Sequence, residues 1–74
     1  MAHKVHFTFK HSDDVEHAIG MLYSVARVHP RDILETDDNV VVVTLNVTTI
    51  GEAKRDADLL SSMLMPLYHN IMVD

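Results

Sequence analysis

Histidine is the side chain this sequence uses most unusually: His3, His6, His11, His17, His29 and His69 make six in 74 residues. Imidazole can ligate a metal, move a proton or carry a switchable charge. Spacing separates these uses. His3 and His6 are three apart in a stretch that alternates like a strand, so they point to opposite faces. Asp13 and His17 are four apart and share a helical face. They could offer zinc two ligands, with His11 joining from the preceding loop. A zinc site takes three or four protein ligands, and no second short-spaced pair is present. The expectation is no metal and no cofactor. Asp13, Asp14 and Glu16 gather near His11 and His17, which acid–base chemistry could exploit. A helix start explains the same carboxylates, because they suit its positive end. Ser61 and Ser62 have no base at hydrogen-bonding spacing. No catalytic residue is assigned, and the chain is not expected to be an enzyme.

Composition narrows the classes further. The chain has no cysteine, hence no disulfide, thiolate metal site or cysteine nucleophile. Small secreted domains usually carry disulfides, so a cytoplasmic setting is expected. The start, Met-Ala-His-Lys-Val-His, lacks the apolar stretch of a signal peptide. No apolar run approaches the roughly 20 residues of a membrane span. A net charge of −5 disfavours a phosphate backbone, so neither nucleic acid nor membrane is an expected partner. Adding six protons to the histidines would carry that charge from −5 to +1, so solubility and association are expected to respond to mild acid.

These side chains are positioned by a short list of elements. Val40 to Val47 is the longest β-branched run. Its first half is apolar on both faces, and its second half alternates Leu45 and Val47 against Thr44 and Asn46. A central strand fits that pattern. Lys4 to Lys10 alternates too, with Val5, Phe7 and Phe9 inward. Ser12-Asp13-Asp14, with Glu16 at capping-box distance from Asp13, opens a helix. Val15, Ala18, Ile19, Leu22 and Ala26 carry it to about Val28, before Pro30. A second stripe, Met21, Val25 and Val28, calls for another neighbour, either a second helix or a partner chain. Asp32 to Thr36 reads as a short strand, and Asp37-Asp38-Asn39 as the turn of a hairpin. Thr49 and Glu52 form a capping box before a second amphipathic helix that Pro66 ends or kinks. Tyr68 to Val73 closes the chain as a strand, with Ile71 and Val73 inward.

Strand, helix, strand, strand, helix, strand is the order of the ferredoxin-like α+β fold, a βαββαβ two-layer sandwich. Right-handed crossovers put the first and third strands in the middle of a four-stranded antiparallel sheet, with both helices on one face. Architecture alone does not specify function. An acylphosphatase of this shape needs a glycine- and arginine-bearing loop after the first strand, and a copper chaperone needs two cysteines there. Neither is present. RNA-recognition modules display aromatics on the open sheet face, whereas Phe7 and Phe9 are assigned to the core.

The uncovered face should carry His6 and Thr8 from the first strand and Val40, Val42 and Thr44 from the third. These five residues are the candidate interface. The expected function is that of a small acidic interaction or regulatory module that binds a protein partner, itself included as a homodimer. Accessory proteins of bacteria and their phages include many of this kind. The alternative is an ACT-like ligand-sensing module with a pocket between two subunits.

Overall fold

Alternation along the N-terminal segment becomes strand β1, His3–Phe9, with Val5, Phe7 and Phe9 buried. The structure is a computed structural model that describes residues 3–74. Helix α1 spans Ser12–Ser24, β2 spans Ile33–Glu35 and β3 spans Val40–Leu45. Helix α2 spans Ile50–Leu64, and β4 spans Tyr68–Val73. All pairings are antiparallel, in the order β2-β3-β1-β4. This is the expected βαββαβ arrangement, an α+β fold of ferredoxin-like architecture.

One face of the sheet supplies Val5, Phe7, Phe9, Val41, Val43 and Leu45 to the core. The helices supply Val15, Ala18, Leu22, Ala53, Ala57, Leu60 and Leu64. Phe7 is fully buried and meets Tyr68 edge to face, ring centres 5.5 Å apart. Burying a side chain such as Leu22 or Leu64 contributes about 1.5–3 kcal/mol. Both helices therefore rest on a single side, and no element among the described residues covers the other face of the sheet.

The first helix departs from expectation at both ends. It stops at Ser24, a turn short of Val28. The Val25 and Ala26 N–H groups both donate to the Met21 carbonyl, and the Val28 N–H folds back to the Leu22 carbonyl at 2.9 Å. Arg27 adopts a left-handed conformation, φ 56°, which a continuing helix cannot contain. Local unwinding thus ends the helix before the proline can. Met21 and Val28 pack against the core, while Val25 stays outside, 63% exposed. The second stripe is thereby divided, and two of its three residues are covered within the chain.

At the other end, the Asp13–Glu16 capping box does not form. The N-cap is His11, whose side chain makes no capping bond. Because the helix begins at Ser12, Asp13 and Asp14 lie inside the first turn and act on its dipole instead. The second helix is capped by side chains. The Glu52 N–H donates to Thr49 Oγ1 at 3.2 Å. Glu52 Oε1 accepts the hydroxyls of Thr49 at 3.0 Å and Thr48 at 3.3 Å, so two hydroxyls hold the carboxylate where the reciprocal box would use the Thr49 amide.

Asn39 makes the β2–β3 turn in the left-handed region, φ 58°, as its residue type suggested. β3 ends at Leu45, two residues earlier than the β-branched run implies. The Val47 N–H bonds to the Leu45 carbonyl at 2.9 Å, a three-residue turn that breaks the ladder. After α2, the Ser61 and Tyr68 hydroxyls hydrogen-bond and tie the start of β4 to the helix.

Candidate functional site

Strand registers fix what the uncovered face displays. His6 stands opposite Val42 on one side and Met72 on the other, and Val42 stands opposite Leu34. A single row therefore crosses all four strands: Leu34, Val42, His6, Met72. Beside it runs a second row, Val40, Thr8 and Asn70. On the other flank Thr44 faces Lys4. All five candidate interface residues, His6, Thr8, Val40, Val42 and Thr44, fall together on this face.

Their exposure differs from what the face alone suggests. Val42 is only 9% exposed, because Leu34 and His6 flank it. The open apolar surface belongs to Leu34, 62% exposed, and Met72, 59% exposed. Sequence reasoning missed both. Leu34 sits in a strand of three residues, too short to show alternation, between Asp32 and Glu35. Met72 lies between Ile71 and Val73, where the inward residues were the ones recognised.

Polar groups frame the row. His6 Nε2 lies 3.0 Å from Asp74 Oδ2, and His3 Nδ1 lies 2.8 Å from the Asp74 carbonyl. The Asp74 N–H donates to the Lys4 carbonyl at 2.8 Å. Three ties thus fix residue 74 against β1. The His6–Asp74 pair is solvent-accessible, so its worth as an ion pair is small.

Concavities lie elsewhere among the described residues. An apolar groove of about 380 Å³ is lined by Ala26, Val28, Leu45, Leu59, Leu60 and Met63, with Asp56 as its one charged residue. A polar cleft of about 280 Å³ collects Lys10, His11, Asp14 and His69 around Pro66, Leu67 and Tyr68. Among the described residues, no three histidine or carboxylate side chains come together in a metal-binding arrangement. Asp13, His17 and His11 are thus not assembled into one. No helix among the described residues is long and apolar enough to cross a membrane.

No protein-family model matches the chain, and neither curated proteins nor solved structures show a significant similarity to it. The functional reading rests on the surface itself.

Proposed function

We propose that this chain is a small cytoplasmic protein-interaction module whose uncovered sheet face is its contact surface, with a second copy of the chain among its ligands. One observation carries the reading: Leu34 and Met72 are more than half exposed at the two ends of a row whose inner members are Val42 and His6. Exposed apolar side chains interspersed with polar groups are the composition of a protein-contact surface. Thr8, Thr44 and Asn70 supply neutral hydrogen-bonding groups around the row, and Lys4 and Asp74 add one charge of each sign. Sedimentation across micromolar concentrations tests the reading. Leu34→Lys should lower association or partner binding, and equal behaviour of wild type and variant would overturn it.

The ligand-sensing alternative expects a pocket between two subunits; the groove beside Asp56 lies within one chain, and its volume falls in the range of small-molecule sites. A thermal-shift screen with amino acids and nucleotides separates the two. Specific binding raises the melting temperature as RT ln(1 + [L]/Kd), whereas an interaction module shows no shift.

A further inference from the structure

We infer that the outer edge of β4 pairs with the same edge of a second copy, antiparallel, about a twofold axis at Met72, joining two sheets into one of eight strands. This contact uses the β4 edge and shares only Met72 with the uncovered face proposed above as the binding surface.

A sheet of order β2-β3-β1-β4 has two free edges. They differ in how they meet a copy of themselves. β2 has three residues and is surrounded by Asp32, Glu35, Asp37 and Asp38, so a second copy is repelled. β4 has six residues, Tyr68-His69-Asn70-Ile71-Met72-Val73, with no carboxylate, lysine, arginine or proline among them. In a chain of net charge −5, that makes β4 the edge on which two copies can meet without like charges opposed.

Backbone direction then selects the register. Thr8 stands opposite Asn70, but Phe9 stands opposite Tyr68, so His69 is an extra, bulged residue. The regular edge begins at Asn70. The Asp74 N–H points to β1, where it meets the Lys4 carbonyl. Alternation turns residues 70 and 72 to β1 as well. It leaves Ile71 and Val73 with N–H and C=O directed outward. A twofold centre at Met72 sets each Ile71 against Val73 of the other copy, and every outward group finds a partner, four hydrogen bonds in all. A centre at Ile71 would set Val73 on the bulged His69, and a centre at Asn70 would set Ile71 there.

Side chains agree with this register. Residues opposed in an antiparallel pair share a face. On the helix side, half-buried Ile71 and Val73 meet each other. On the open side, Met72 meets Met72, and the Asn70 amide can donate to the Asp74 carboxylate of the second copy. The two Asp74 side chains fall at opposite ends. Pairing also doubles the contact surface: the rows Leu34, Val42, His6, Met72 of both copies join at the two methionines and run unbroken across eight strands.

The natural absence of cysteine provides a direct test. Met72→Cys places one thiol per chain, on the axis, in a non-hydrogen-bonded pair whose Cα atoms stand about 4.5 Å apart, inside the disulfide range. Under mild oxidation at micromolar concentration this variant should form a covalent dimer at least tenfold faster than Leu34→Cys, a residue of equal exposure on the same row at the opposite edge. Asn70→Cys should also be slow, because the two Asn70 positions are offset from each other. Equal rates for Met72→Cys and Leu34→Cys, or fastest reaction at Asn70→Cys, would overturn the pairing. Met72→Cys in a Leu34→Lys background separates the two surfaces, because Leu34 is exposed and its substitution leaves the core untouched: loss of the face leaves the Met72→Cys dimer intact, and loss of the edge leaves the effect of Leu34→Lys intact.

Discussion

Leu34 and Val42 face each other directly across the β2–β3 pair, yet the first is 62% exposed and the second 9%. Apolar area still available for burial therefore lies at the edge of the row and not at its centre. Val42→Lys and Leu34→Lys should both weaken association, by different routes. The first forces a charge into a covered position and disturbs the monomer's face. The second removes contact area alone, at a cost to binding of about 1–2 kcal/mol, or roughly five- to thirtyfold in Kd. Val25→Lys, on the helix side, should leave association unchanged. Sedimentation equilibrium on the three variants checks this, and a response at Val25 alone would move the interface to the helices.

Core truncations should be graded by enclosure. Leu22 is fully buried among sheet and helix residues, so Leu22→Ala should fall near the upper end of about 2–5 kcal/mol. Leu45 borders the apolar groove beside Leu60 and Met63, where removed volume joins space already present. Leu45→Ala should fall near the lower end of the same range. Urea unfolding of both variants measures the difference. Amide exchange should be slowest in the two central strands, β1 and β3, and fast exchange over Val40–Leu45 would contradict the sheet order.

The two helix starts should respond differently to loss of a hydroxyl. Thr49 accepts from the Glu52 N–H and donates to its carboxylate, so Thr49→Ala should cost about 1 kcal/mol. Ser12 lies inside α1, where no side chain caps the helix, and Ser12→Ala should stay within about 0.5 kcal/mol. Paired denaturant curves read this contrast, and equal losses would show that the cap does not hold α2.

Chelator treatment should leave the melting temperature unchanged, since the histidines and carboxylates of the described residues do not gather in threes. A fall of several degrees, restored by zinc and lost in His17→Ala, would assign a metal to the start of α1.

Acidification acts on charge as a whole. Full protonation of six histidines would move the formal charge from −5 to +1, so light scattering should be higher in mildly acid solution than at pH 7.5. A flat profile from pH 7.5 to 5 would show that the histidines act singly.

Much of the architecture was legible in the sequence because its signals are local. Alternation of Val5, Phe7 and Phe9, the β-branched run at Val40, the Thr49–Glu52 spacing and Pro66 each fix backbone preference within a few residues. Element order and crossover handedness then leave few ways to assemble a sheet. What the sequence left open depends on partners distant in the chain. The end of α1 follows from carbonyls at Met21 and Leu22 competing for the amides that follow, and from Arg27 taking a left-handed turn that its residue type does not announce. The exposure of Leu34 and Met72 against the cover of Val42 arises from register across three strand pairs, which joins residues 34, 42, 6 and 72. Local spacing determines which side of a strand a residue faces. Tertiary pairing alone determines what stands beside it there, and so which apolar surface remains for a partner to bury.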